Sequence, residues 1–257
     1  MLEIRKAGDR GSTRLPWLKS RHSFSFGGYK NPQEMGFSDL RVINDDRVAP
    51  GKGFSRHGHR DVEILTYVLQ GTLAHRDTLG NSAKIKVGEF QLISAGSGIE
   101  HSELNASSTQ PVHFLQIWLT PQASRTKPNY QQKQFSVDQH RGKLQLIASK
   151  EGASGSLRVR QDAKIYVGRF GAGDSVTLPI SSRRQVYVHV IDGRLQVNGV
   201  RLAQGDGLKL ADARKLAISA PADAQVMVFD LRSVTEKSSK PKTAGLCVTR
   251  ACGSRKR

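Results

Sequence analysis

From residue 40 onward, apolar and polar residues alternate with a period of two along short segments, as they do in half-buried β-strands. The clearest of these segments are DVEILTYVLQG (61–71), VHFLQIWL (112–119) and VYVHVIDG (186–193). Turn-forming pairs such as Asn198-Gly199 separate them, and no window of twelve or more residues shows an apolar stripe with helical spacing. The pattern therefore predicts an all-β protein made of short strands.

The two halves of the chain resemble each other. The segment VLQGTL (68–73) aligns with VIDGRL (190–195) at an offset of 122 residues (190 − 68), and each contains a glycine where a turn is expected. A polar stretch lies between the halves. We therefore predict two related β-barrel domains, at residues 1–125 and 134–232, joined by a linker at 126–133.

Charge is distributed unevenly along the 257 residues. The chain has 40 Lys and Arg against 22 Asp and Glu, or +18. Residues 232–257 contribute eight of these cations and one Glu, or +7, with little apolar content. This composition predicts a basic, disordered tail at residues 233–257. No helix-turn-helix, zinc-finger or RNA-binding aromatic signature accompanies the charge, so a nucleic-acid partner is not expected.

Cysteine content and apolar runs exclude several classes of protein. The only two cysteines, Cys247 and Cys252, lie in the tail, so a disulfide framework in the body of the protein is excluded. No run approaches the roughly 18 apolar residues of a membrane span. The first residues lack the apolar segment of a secretory signal. We therefore expect a cytoplasmic protein without a membrane partner.

Two pairs of potential metal ligands stand out in the first half. His57 and His59 are two residues apart, as are His101 and Glu103. Alternate residues of a strand point to the same face, so neighbouring strands would bring three imidazoles and one carboxylate together. Such a set suits a borderline divalent ion: Fe(II), Mn(II), Co(II), Ni(II), Cu(II) or Zn(II). The alternative interpretation is that these are unrelated surface or core histidines.

The context of these pairs resembles the two motifs of the cupin superfamily. The first is represented by Gly51, His57, His59, Glu63 and Gly71. The second is represented by Gly88, Ser94, Gly96, His101 and Asn105. Ser94 stands where cupins usually have Pro, and the spacing from Gly88 to His101 is two residues longer than usual.

Longer segments resemble the pirin family within the cupins. They are HSFSFGGY (22–29), MGFSDLRVINDD (35–46), HGHRDVEILTYVLQGTLAHRDTLGN (57–81) and GEFQLISAGSGIEHSE (88–103). The resemblance is close over residues 1–125 and weaker in the second half. Gly58 stands where pirin-like proteins usually have Pro, a change that loosens the backbone but removes no ligand.

The resemblance implies a bicupin: two jelly-roll barrels, with a metal ion, commonly Fe(II), only in the first. Its ligands match His57, His59, His101 and Glu103. It also implies a quercetin 2,3-dioxygenase, which cleaves flavonols with dioxygen. We expect Glu103 or a metal-bound hydroxide to act as the base toward the flavonol 3-hydroxyl. The expected lining of the substrate pocket is Phe54, Leu65, Tyr67, Leu92 and His113.

Other readings remain open from sequence. Eukaryotic pirins are associated with transcriptional co-regulation, so the chain could be a metal- or redox-sensing regulator with a protein partner, or a cupin that has lost its reaction. The remaining histidines are interpreted as structural. His75 is placed in a polar turn region, and His189 is expected to pack within a strand of the second domain.

Overall fold

The computed structural model describes residues 1–233 and is almost entirely β-structure. The predicted tail, with both cysteines, lies outside the described residues except for Ser233. Within the described part, the helical segments are three 3-10 turns: Ala7–Asp9, Val137–His140 and Ala153–Gly155. No helix in that part is long and apolar enough to cross a membrane.

Twelve strands precede the middle of the chain. They are β1 (Leu2–Arg5), β2 (Gly11–Leu15), β3 (Leu18–His22), β4 (Leu40–Val48), β5 (Gly53–His59), β6 (Glu63–Gln70), β7 (Thr72–Asp77), β8 (Ser82–Lys86), β9 (Glu89–Ser94), β10 (Ile99–Asn105), β11 (Val112–Leu119) and β12 (Asn129–Gln134).

Nine strands follow. They are β13 (Leu144–Ser149), β14 (Leu157–Arg158), β15 (Ala163–Phe170), β16 (Ser175–Pro179), β17 (Arg184–Val197), β18 (Val200–Ala203), β19 (Gly207–Ala211), β20 (Lys215–Ser219) and β21 (Ala224–Arg232).

The first domain consists of two sheets. A seven-stranded sheet has the order β12-β9-β6-β11-β4-β3-β2, and a four-stranded sheet has the order β5-β10-β7-β8. All their pairings are antiparallel. The sheets are not joined into one hydrogen-bonded barrel, and this arrangement of two facing sheets is consistent with the predicted cupin-type domain.

The second domain repeats this plan in a single ten-stranded sheet. Its main path is β1-β19-β17-β21-β15-β13-β14, while β16, β18 and β20 join through the long strand β17. Its interior is filled by apolar side chains, among them Phe170, Val188 and Val226. The two domains therefore differ in what they enclose, because the first has polar side chains inside.

The internal repeat marks equivalent corners of the two domains. Gly71 lies between β6 and β7 with φ +78°, and Gly193 lies within β17 with φ +74°. A Cβ at Gly71 would lie 2.8 Å from the carbonyl oxygen of Pro111, and one at Gly193 would lie 2.0 Å from that of Asp223. Both turns therefore require glycine.

The domain boundaries expected from sequence differ from the structure in two places. Strand β1 pairs with β19, so the N-terminal residues belong to the sheet of the second domain. The stretch 126–133, expected as a linker, contains most of β12, which pairs with β9 as an edge strand of the first domain. One apolar core spans both domains, with Leu65 and Leu115 from the first and Ile147 and Met227 from the second.

Candidate metal centre

Adjacent strands of the four-stranded sheet bring the two ligand pairs together. β5 and β10 are antiparallel, with His57 opposite His101 and Ile99 opposite His59. The register shifts between His101 and Glu103, so that Glu103 lies opposite Phe54. On its other side, β10 pairs with β7, which places His75 opposite Glu103 and Asp77 opposite His101. The strand pairing that the ligand spacing required is therefore present.

Three imidazoles meet on the inner side of this sheet. The rings of His57 and His101 have centroids 4.6 Å apart, and His59 lies 4.7 Å from His57 and 4.9 Å from His101. One ring nitrogen from each lies within 4.8 Å of the others. A second group of ligand atoms, also within 4.8 Å, joins His101 to Glu103 and His75. We call these five residues the donor cluster.

The hydrogen bonds of the donor cluster leave nitrogen lone pairs free. Nδ1 of His57 donates to the backbone carbonyl of Ser55 at 2.7 Å, so its Nε2 carries a lone pair. That Nε2 lies 3.2 Å from Nε2 of His101. Burial, together with neighbouring imidazoles, lowers the pKa of His59 and of His101 to about 3, so both are neutral at pH 7. Neutral imidazoles with facing nitrogens fit a shared metal cation.

Glu103 is completely buried and held by polar side chains of the opposite sheet. Its Oε1 accepts a hydrogen bond from Nε2 of Gln91 at 2.8 Å. The hydroxyl of Thr66 lies 3.5 Å from this oxygen but donates its proton to Oε1 of Gln116 at 2.6 Å. Its Oε2 accepts one from Nε2 of Gln116 at 2.8 Å. The carboxylate is thus fixed in orientation while each oxygen retains a lone pair for a metal ion or a proton.

His75 is a member of the donor cluster that the sequence reading missed. It is buried on strand β7, not in a turn, and its Nε2 donates to Oδ2 of Asp77 at 2.8 Å. Its Nδ1 is buried without a hydrogen-bond partner among residues 1–233. Although burial opposes ionisation of Asp77, hydrogen bonds from His75 and Asn81 lower the pKa of its carboxyl. The signal was available, because His75 and Asp77 are spaced two apart, like His57 and His59.

The structure places most of the expected pocket residues away from the donor cluster. Leu65, Tyr67 and Leu92 pack into the core shared by the two domains, on the sheet face opposite the donor cluster. His113 donates from Nε2 to Asp45 at 2.7 Å and, with Tyr67, lines a cleft of about 460 Å³ at the domain boundary. Phe54 alone lies beside the cluster, with its ring centroid 6.5 Å from that of His57.

The residues that face the donor cluster alternate with those expected. Successive strand residues point to opposite faces. The inner face of β6, β9 and β11 therefore carries the residues that alternate along each strand with the expected pocket residues. Those are Thr66, Gln91, Gln116 and Trp118, the last with its ring centroid 5.0 Å from that of His59. An apolar group of Ile64, Ile93, Ala95 and Ile99 packs against Trp118.

The second domain shows no comparable group. Both clusters of possible metal ligands within the described chain belong to the first domain. His189 is buried on β17, where burial lowers its pKa to about 4. Its position inside a strand agrees with the structural role expected from sequence.

Gly58, between two of the imidazoles, is expected to tolerate a side chain. A Cβ there would come no closer than 3.7 Å to its neighbours, and its φ is not in the left-handed region. Gly58→Ala should therefore raise the free energy of unfolding by about 0.4–1 kcal/mol, because it restricts the unfolded chain. The control is Gly53→Ala, whose Cβ would lie 2.2 Å from the carbonyl oxygen of Glu103. If chemical denaturation shows that Gly53→Ala is more stable than Gly58→Ala, the prediction is contradicted.

Asp46, on β4, is expected to make stability depend on pH. Burial, partly offset by the Ser20 hydroxyl and reinforced by the charges of Asp45 and Glu103, raises its pKa from 3.8 to about 7. Between these values the folded state holds a proton that the unfolded state releases, so stability falls as pH rises.

In metal-free protein, the stability of wild type relative to Asp46→Asn should therefore fall by about 1–3 kcal/mol between about pH 4.5 and about pH 8. The difference between the two proteins isolates Asp46 from other titrating groups. Urea denaturation at several pH values measures it, and a constant difference would show that Asp46 is ionised throughout.

Comparison with known families covers both domains. A family model described as Pirin matches residues 3–119, and a model described as Quercetinase C-terminal cupin domain matches residues 146–231. The two matched ranges fall on the two β-domains of the structure. The division into two cupin domains is therefore supported by both sequence and fold.

Similar proteins include a quercetin 2,3-dioxygenase of Escherichia coli strain K12. It is 44% identical over 234 residues, which cover 91% of this chain and 100% of the relative. The crystal structure of YhhW from E. coli superimposes with a TM-score of 0.88 at 43% identity, covering 91% of this chain and 99% of that one. A crystal structure of the bacterial pirin YhhW from E. coli in complex with nickel(II) gives a TM-score of 0.87 at 43% identity, with 91% and 100% covered.

Proposed function

The chain belongs to the pirin family, and from this membership we propose that it is a metal-dependent dioxygenase that cleaves flavonols such as quercetin. The observation that carries the proposal is the donor cluster: neutral imidazoles and a fixed carboxylate inside the first domain. The name of the E. coli relative and the nickel complex of its YhhW protein point in the same direction. The partners of the reaction would be a small, planar aromatic substrate and dioxygen.

We assign the metal ion to His57, His59, His101 and Glu103, with Fe(II) as the native ion. The cluster as such can hold a divalent metal, and imidazole with carboxylate accepts most first-row ions. When bound, such an ion supplies a site for dioxygen and for the ionised oxygen of the substrate. Ser55 fixes the tautomer of His57, so a lone pair points into the cluster before metal arrives.

Glu103 is assigned the proton transfer. Its carboxylate would take the proton of the flavonol 3-hydroxyl, which makes the ring electron-rich enough to react with dioxygen. Gln91 and Gln116 hold it in place for this step and disperse its negative charge. Ring opening then consumes one dioxygen and releases one carbon monoxide per flavonol.

The test of this reaction is its product. Protein loaded with Fe(II) and supplied with quercetin in air should release carbon monoxide in proportion to the quercetin consumed. Because oxidation of quercetin to a quinone releases no carbon monoxide, loss of quercetin absorbance without that gas would contradict the proposal. Protein stripped of metal is the control for spontaneous oxidation.

His75 should support metal binding from within the cluster. A metal-site imidazole that donates its other nitrogen to a carboxylate is a recurrent arrangement, and Asp77 fills that place for His75. His75→Gln should lower the affinity for Ni(II) by about 10- to 100-fold. Competition with a chromogenic chelator measures this, and exposed His140→Gln serves as the control. Equal affinities for the two variants would show that His75 is only a packing residue.

A further inference from the structure

We propose that Trp118 is the residue that orients the substrate, through an indole N–H that binds an acceptor oxygen of a planar aromatic ligand. This inference rests on the proposed function and names the group that selects its substrate class. Trp118 lies on the inner face of β11, opposite Ile64 of β6 and Val42 of β4. It is one of only two tryptophans in the chain.

The first observation is an unsatisfied donor. Nε1 of Trp118 is buried but has no hydrogen-bond partner among residues 1–233. Leaving a buried donor unpaired costs about 1–3 kcal/mol, which phenylalanine at this position would avoid. The hydroxyl and amide donors next to Glu103, from Thr66, Gln91 and Gln116, by contrast have acceptors. The unpaired indole is therefore understandable if a ligand supplies the acceptor.

The second observation is location. Trp118 meets the ring of His59 edge to face, with 5.0 Å between centroids and 80° between planes. On another side it meets Phe26, at 5.4 Å and 83°. Phe26 belongs to the segment between β3 and β4 and is half-exposed. The indole thus stands between a half-exposed aromatic side chain and the imidazole group.

The chemistry of the side chain defines the ligand. An indole offers a flat apolar face and one donor, and it accepts no hydrogen bond. It would favour a planar aromatic molecule that presents a carbonyl or an ionised hydroxyl oxygen. A molecule that binds close to the metal ligands would present both kinds of oxygen together if it were a hydroxy-ketone, which can chelate a metal ion. A flavonol has this structure, whereas aliphatic or positively charged molecules do not.

The experiment measures ligand binding without turnover. Protein loaded with Ni(II) is titrated with quercetin in the absence of dioxygen by calorimetry, using wild type, Trp118→Phe and Trp17→Phe. Trp118→Phe keeps an aromatic ring and loses only the N–H donor and part of the surface. We expect its Kd for quercetin to rise by about 10- to 100-fold while its affinity for Ni(II) stays unchanged, because a hydrogen bond to a charged acceptor is lost.

Trp17→Phe is the matched control, because Trp17 packs edge to face on Phe54 and not on the imidazoles of the cluster. It should bind quercetin within about twofold of wild type, as expected for a tryptophan that lies outside the ligand site.

Equal binding by Trp118→Phe and wild type, or equal losses of affinity in both variants, would overturn the assignment. Wild type that binds no quercetin would overturn it together with the proposed substrate. Wild type that binds but consumes no dioxygen would refute the dioxygenase alone.

A second measurement does not depend on a variant at position 118. Protein loaded with Zn(II) has two indole N–H signals in nitrogen-15 correlation spectra, and Trp17→Phe identifies which belongs to Trp118. Addition of quercetin should move the Trp118 signal downfield, as expected for a new hydrogen bond, and leave that of Trp17 in place. A Trp118 signal that does not move while quercetin is bound would contradict the proposal.

Discussion

Replacing His101 by alanine is expected to abolish stoichiometric metal binding and to reduce flavonol cleavage by about a thousandfold or more. His101 belongs to both groups of ligand atoms, and its Nε2 lies 3.2 Å from that of His57. Its loss therefore removes a ligand from both groups of ligand atoms in the donor cluster. A metal ion supplies several kcal/mol of transition-state stabilisation, and each 1.36 kcal/mol is tenfold in rate.

The measurement is metal content after gel filtration, followed by turnover of quercetin. His140→Ala is the matched control, because His140 is exposed in a 3-10 turn of the second domain. If His101→Ala keeps one metal ion per chain and full turnover, the metal centre lies elsewhere. Far-ultraviolet circular dichroism of both variants shows whether either has lost its fold.

Replacing Glu103 by glutamine is expected to lower kcat by about 100- to 10,000-fold, the range of a lost general base. The change also puts an amide where the N–H groups of Gln91 and Gln116 now meet a carboxylate, so one N–H group would face another N–H group. We expect a loss of about 1–3 kcal/mol in stability from this unsatisfied pair. The affinity for the metal ion should fall less than in His101→Ala, because all the imidazoles remain.

Rate measurements with saturating quercetin and thermal unfolding separate these two effects. Glu100→Gln is the control on the same strand, because its exposed carboxylate pairs with Arg56 and not with the cluster. A Glu103→Gln variant with normal kcat would show that another group takes the proton. Equal losses of stability in the two variants would contradict the role of the buried hydrogen bonds.

Much of the metal centre could be predicted from the sequence because the geometry of a β-strand is simple. Residues spaced two apart share a face, so the His57–His59 and His101–Glu103 pairs had to point the same way once both segments were strands. The motif context supplied what spacing alone lacks, namely that β5 and β10 are neighbours. The repeat around Gly71 and Gly193 was equally informative, because both turns need positive φ and tolerate no Cβ.

Strand parity explains why the expected pocket residues of β6 and β9 lie on the face away from the donor cluster. In β6 and β9 both faces are buried, one against the donor cluster and one against the second domain, so hydrophobicity does not distinguish Leu65 from Ile64. The polar residues of β9 and β11 did indicate which face lies toward the cluster. Gln91 and Gln116 are buried and polar, and such residues need partners, which Glu103 supplies.

Long-range pairing explains the remaining differences. The place of β1 beside β19 depends on contacts between residues some 200 positions apart, for which local pattern carries no signal. The strand β12 is rich in Gln and Lys because it is an edge strand, so its composition resembles that of a linker. His75 differs in that it lies shortly before the turn-forming residues Gly80 and Asn81, so its segment resembles a polar turn and not a strand.

The most direct test of the proposed dioxygenase is dioxygen uptake with quercetin by protein that has been stripped of metal and reloaded anaerobically with Fe(II), with His101→Ala measured beside it. We expect uptake that depends on added metal, is matched by quercetin consumption and is absent in the variant. A fully loaded metal centre in wild type with no uptake would contradict it.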